Sequence, residues 1–228
     1  MKSKNKRFET VQALLIAIFV ALLLRQFVVA AYKIPTGSME DTLLVGDFLL
    51  VNKFVYGAKF PGWIGVPFLQ DKDWVIPTGF SVPKSLQIRF PALTHPKPND
   101  IVVFKPPFSP TLDYIKRCIA VGGQEVYLTN KTVYVDGKPF PLPPKLKFID
   151  HNILWQRDNL PPLMVKENHY FMMGDNRDNS SDSREWGQVP FENIVGKPLI
   201  VYLSLKENGG SGHFFDKIRW QRLGMVVR

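Results

Sequence analysis

A chain of 228 residues suits one large domain with an excursion or two small ones, and its single cysteine, Cys118, rules out an intramolecular disulfide, so the fold rests on its apolar core. A formal charge of +9 and a pI near 9.6 invite an anionic partner. No Lys/Arg block is interleaved with aromatics as in a nucleic-acid motif, which argues against nucleic acid and favours a phospholipid surface.

The N-terminus is a basic tail over 1–10, with Lys2, Lys4, Lys6 and Arg7, followed by Ala13–Leu24 without one polar side chain. Twelve helical residues reach only about 18 Å, short of a hydrocarbon core of roughly 30 Å. Extension over 11–31 reaches about 31 Å and admits Gln12, Arg25 and Gln26, so the pattern predicts a single transmembrane helix there with its basic end cytoplasmic. The same composition, ending in Val29-Ala30-Ala31, also describes a cleaved signal peptide, and length alone does not separate the two.

The stretch Ile34-Pro35-Thr36-Gly37-Ser38-Met39-Glu40-Asp41-Thr42-Leu43 follows. Beyond it, Leu43 to Phe54 contains Phe48-Leu49-Leu50-Val51 and predicts a buried strand. Over 56–98 seven prolines alternate with aromatic and aliphatic residues that include Trp63 and Trp74. Such a density forbids a long helix, and two readings stand: a loop-rich excursion packed on the core, or an aromatic surface dipping into a bilayer interface. Ile101-Val102-Val103-Phe104 and Tyr114 to Val121 predict core strands. On the second, alternation puts Lys116 and Cys118 on one face and Arg117 on the other.

Asp136-Gly137, between Thr132–Val135 and Lys138–Phe140, signals a hairpin inside a small β excursion over 122–166. His169–Met173 returns to strand character and delivers the chain to a dense polar stretch, Gly174-Asp175-Asn176-Arg177-Asp178-Asn179-Ser180-Ser181-Asp182-Ser183-Arg184. Aligned as a calcium loop from Asp178, it has Ser183 at the glycine position and Val189 at the bidentate glutamate position, so that reading fails. Leu199–Leu203 predicts a last strand. After Gly209–Gly212, Phe214 to Leu223 fits either an interfacial amphipathic helix or an ordinary packed segment within a C-terminal stretch over 206–228.

A serine hydroxyl needs a partner to take its proton. For Ser38 the best candidate is Lys116, which suits a base only if burial lowers its pKa; the residues alone equally describe a solvated strand lysine. The four histidines are scattered without metal-ligand spacing, and no metal or organic cofactor is called for. Three segments in this order, around Ser38, around Asp113-Tyr114-Ile115-Lys116-Arg117 and over 174–184, resemble the type I signal peptidases, from the apolar segment to about Lys197. The resemblance implies a mainly β fold: an N-terminal transmembrane anchor, then an extracytoplasmic catalytic β core over 32–121 and 167–205 at a bacterial cytoplasmic membrane. It implies a serine endopeptidase that cuts preprotein signal peptides after small residues, within reach of the export machinery, with Ser38 as nucleophile and Lys116 as general base. Ser38 N–H and the Thr36 hydroxyl would form the oxyanion hole. Ser180 would hydrogen-bond the lysine, Asp182 and Arg184 would shape the site as an ion pair, and Gly174, Asp175 and Arg117 would support it. Met39, Trp63 and Trp74 are expected at the membrane. Asp41 stands where the family often has proline. Other Ser-Lys proteases and a non-catalytic membrane-tethered β domain are the rival readings.

Overall fold

The computed structural model describes residues 6–60, 63–65, 79–83, 88–109, 111–150, 152–206 and 214–228. Helix α1 (Lys6–Phe27) has 22 residues, about 33 Å at 1.5 Å per residue. Its window Phe8–Arg25 has a mean hydropathy of 2.0 and none of its residues is buried in the rest of the protein; it is long and apolar enough to cross a membrane. The expected helix over 11–31 is therefore displaced. Val28 N–H makes the last helical bond, to Leu24 O, and Val29, Ala30 and Ala31 leave the helix to pair with a strand whose buried residues require a neighbour.

In chain order the strands are β1 (Val29–Lys33), β2 (Asp47–Asn52), the short pair β3 (Trp63–Gly65) and β4 (Gly79–Ser81), β5 (Ile101–Phe104) and β6 (Tyr114–Val121). The excursion holds β7 (Glu125–Thr129), β8 (Thr132–Val135), β9 (Lys138–Pro139), the one-turn helix α2 (Trp155–Asp158) and β10 (Leu160–Met164). β11 (His169–Met173), helix α3 (Ser183–Trp186), β12 (Val189–Pro190), β13 (Ile194–Ser204) and β14 (Met225–Val226) complete the chain. The main sheet runs β1-β2-β13-β5-β6-β11-β12, with β14 on β13 and every pair antiparallel.

β13 organises this sheet: it pairs with β5 at its start and β2 along the rest, and three register shifts let it turn between them. A Cβ at Gly196, where the partners change, would lie 2.5 Å from Asn52 O, so only glycine fits. The second sheet, β10-β7-β8-β9, shares its core with the first, since Val126, Leu128 and Val133 pack with Ile119, Phe171 and Met173. Its hairpin turns at Asp136 and Gly137, both with positive φ, as a tight two-residue turn requires.

Between α1 and the proline-rich excursion, Phe27 packs on Phe60 and Phe90 with ring centroids 5.8 and 5.6 Å away, and Ile88, Phe90 and Leu93 stay exposed nearby. Trp63 is placed in β3 by its backbone alone, and Trp74 lies outside the described residues. The C-terminal segment forms no amphipathic helix among its described residues. It makes two short 3-10 turns and β14, because Arg222 is drawn to the buried Asp47 carboxylate (2.6 Å) and Val227 enters the core. Phe215 and Trp220 remain exposed and stacked.

Candidate active site

β1 leads directly into the segment that presents Ser38. Ile34 is buried, Thr36 has extended backbone, and Gly37–Met39 make one 3-10 turn. Met39 closes that turn by inserting into the core beside Leu43, Leu49 and Val51, where its Sδ accepts from Asp175 N–H at 3.4 Å. The expectation that Met39 touches the membrane is thus corrected: at 1% exposure it anchors the turn from inside. Asp41 has φ +71°, which the fixed ring of proline forbids, so the departure from the family's proline goes with a different turn.

Opposite the turn, Lys116 points from β6 and is 3% exposed; its Nζ lies 2.5 Å from Ser38 Oγ and 5.5 Å from the centroid of the Tyr114 ring. Its pKa is lowered to about 8, chiefly by burial and in smaller part by the Arg184 charge, against the opposing pull of Asp182, Asp175 and Glu185. Cys118, two residues along the strand, is plain core among Val102, Phe104 and Met172, and burial pushes its thiol up.

The polar loop holds both segments. Arg117 donates to both oxygens of the buried Asp175 (2.8 and 2.7 Å) and to Asn99 O. Asp175 also accepts from Thr42 Oγ1 at 2.7 Å, so a single carboxylate ties β6 to the residues following the serine. Arg184 donates to both oxygens of Asp182 (2.8 and 2.9 Å), and Gly174 N–H donates to the same group. Burial alone would raise the Asp182 carboxyl, but these donors hold it below the ordinary carboxylate range. Gly174 is required by space: a Cβ there would lie 2.3 Å from Ser180 Oγ and 2.5 Å from Ser38 O. Ser180 does not make the expected bond to Lys116. Its Oγ is shielded from solvent, packed against Gly174, and has no partner at full hydrogen-bond geometry, although its hydroxyl is near enough to Asp182 to help hold that carboxylate ionised.

Several residues that complete the arrangement escaped the sequence reading. Asn176 donates its backbone N–H to Ser38 O and its side chain to Gly37 O and Glu40 Oε2. Lys147, from the excursion, bridges to Asn176 by backbone and to Glu40 by its amine at 3.0 Å. Arg177 is fully buried, its pKa brought to about 10 by burial, with Nε and Nη2 unpartnered among the described residues. The density of polar residues over 174–184 was the available signal for Asn176 and Arg177; nothing near Lys147 offered one.

Between β1 and β6 opens a cleft of about 230 Å³ lined by Tyr32 to Met39, Asp113 to Lys116, Asn179 and Ser181. Thr36 lines it and makes no helix-capping bond with its hydroxyl. Ser38, Lys116 and Thr36 thus share one cleft, with Arg117, Gly174, Asp175, Asp182 and Arg184 behind it.

A mainly β body on an apolar helix, with a buried amine against a serine hydroxyl in the lining of an open cleft, fits a hydrolase of the peptidase class. The family model described as "Signal peptidase, peptidase S26" matches residues 7–203, and the chain belongs to that family. It is 38% identical to a signal peptidase I of Pseudomonas aeruginosa, covering 82% of this chain and 69% of the relative, and 36% identical to one of Pseudomonas fluorescens, covering 83% and 70%. A crystal structure of a signal peptidase I from Enterococcus faecalis, 27% identical, overlaps 46% of this chain and 97% of its own at a TM-score of 0.39.

Proposed function

We propose that the protein is a membrane-anchored serine endopeptidase that removes N-terminal signal peptides from exported preproteins, with Ser38 as nucleophile and neutral Lys116 as general base. The observation that carries this reading is the 2.5 Å approach of a 3% exposed lysine amine to a serine hydroxyl in an open cleft. A lysine in water is neutral less than one time in a thousand at pH 7, whereas a pKa of about 8 makes it neutral roughly one time in ten. The neutral amine accepts the Ser38 proton as Oγ attacks the scissile carbonyl. The tetrahedral oxyanion takes hydrogen bonds from Ser38 N–H and the Thr36 hydroxyl, of which one donor is worth about 2.7 to 4 kcal/mol. The ammonium then protonates the leaving amine, and water activated by the same lysine releases the acyl group.

Small residues at the first and third positions before the cut fit a shallow cleft of about 230 Å³. The apolar α1 and the exposed Ile88, Phe90 and Leu93 near its end suit a body held at a bilayer surface, with the basic tail in the bacterial cytoplasm and the cleft outside, where the export machinery releases its cargo. Cleavage of a purified preprotein by detergent-solubilised wild type, Ser38→Ala and Lys116→Ala tests the assignment, with folding checked by circular dichroism. Wild type trims the leader and both folded variants are inert; cleavage by either variant at the wild-type rate overturns it.

A further inference from the structure

The proposed reaction leaves the chain before the cut on Ser38 and sends the chain after the cut away as an amine. That amine takes its proton from Lys116 Nζ, so the first residue after the cut lies beside this nitrogen. Arg184 and Glu185, two of the charges that act on Lys116, also line a second cleft of about 570 Å³, together with Leu154, Trp155, Arg157 and Ser180. The polar loop partitions the two clefts: Asn179 and Ser181 face the first, and Ser180 between them faces the second. The partition is thin, because the space of one missing Cβ at Gly174 separates Ser180 Oγ from Ser38 O.

We propose that this second cleft, walled by α2 of the small-sheet excursion, receives the residues that follow the cut, as an extended segment of the mature polypeptide. The proposal rests on Ser38 and Lys116 being the dyad. Its chemistry favours a neutral extended peptide over an anion, since both arginines are already satisfied: Arg157 by Asp158 and Asp178, and Arg184 by Asp182. The lip is apolar and open, with Trp155 80% and Leu154 50% exposed, which suits the side chains of an extended peptide. The excursion is fastened to the site by the Lys147 bridges to Asn176 and Glu40, so the wall moves with the nucleophile.

The test compares two synthetic leader peptides, one ending at the first residue after the cut and one continuing for six, with wild type, Trp155→Ala, Leu154→Ser and Ser38→Ala of the full chain in detergent. In the two lip variants KM for the long peptide rises about tenfold while KM for the short peptide and kcat for both stay at wild-type values, the size expected for one aromatic contact. Equal changes on both peptides, or none, overturn the proposal. So does a loss of liposome binding by Trp155→Ala without a change in detergent, which would make the lip a lipid contact. Ser38→Ala that still cuts the short peptide sinks the dyad and this inference with it. An inert Ser38→Ala alongside unmoved KM values sinks the second cleft alone.

Discussion

The lysine carries the clearest consequences at the residue scale. Because its pKa is brought to about 8, activity increases as the pH rises through that value and levels off above it; a rate profile flat from pH 6 to 10 would count against a lysine base. The same shift acts on stability. Between about pH 8 and 10.4 the unfolded chain holds a proton that the folded chain does not, so folded stability increases with pH across that window. Lys116→Met removes the cost of the buried amine and is expected to raise stability at pH 7 by about 2 to 3 kcal/mol, with the gain fading by pH 10, as urea unfolding at the two pH values will show. Gly174→Ala drives a Cβ into Ser180 and Ser38, and a displacement of about 1 Å there lowers kcat by roughly a hundredfold, measurable on any cleaved peptide. Ser38 and Lys116 were legible because a motif marked them. Thr42 and Asn176 were not, since their bonds to Asp175, Gly37 and Glu40 cross more than a hundred residues of chain and exist only after folding.

Among the elements, the strands with dense β-branched or aromatic runs were legible: β5, β6 and β11 fall where the pattern put them. β1 was not, because Val29-Ala30-Ala31 continues the apolar run of the helix and three small apolar residues carry no period of their own. β10 hid for the opposite reason, since Pro161 and Pro162 argue against a strand; it tolerates them as an edge with an irregular register against β7. The C-terminal segment shows how an ion pair decides an element. Asp47 is fully buried and accepts from Ser204, Leu44 N–H and Arg222, whose Nη2 also donates to Thr42 O. Arg222→Met leaves that carboxylate buried and short of its cation, and the urea midpoint should fall by the equivalent of about 3 to 5 kcal/mol.

At the scale of the whole molecule, α1 meets the folded body only near its end, where Phe27 packs on Phe60 and Phe90, and no residue of its apolar window Phe8–Arg25 is buried in the protein. A chain lacking residues 1–26 is expected to unfold at the same urea concentration as the full chain and to cut a soluble leader peptide at the same rate, while losing most of its activity on preproteins in vesicles; a lowered midpoint would show that the helix stabilises the body. The helix was legible from composition, but its end was not, and that end has a mechanical meaning. Only Val28 stands between α1 and β1, and β1 is paired along all five residues with β2. The turn that presents Ser38 therefore rides on a stiff strut instead of a loose leash, and Ser38, eleven residues beyond Phe27, can stand at most about 40 Å from the end of the helix. On the proposed reading such a strut is a ruler: it would fix the height above the lipid at which a bond is cut, and so meter how much extended chain a leader must carry between its own apolar stretch and its cleavage point.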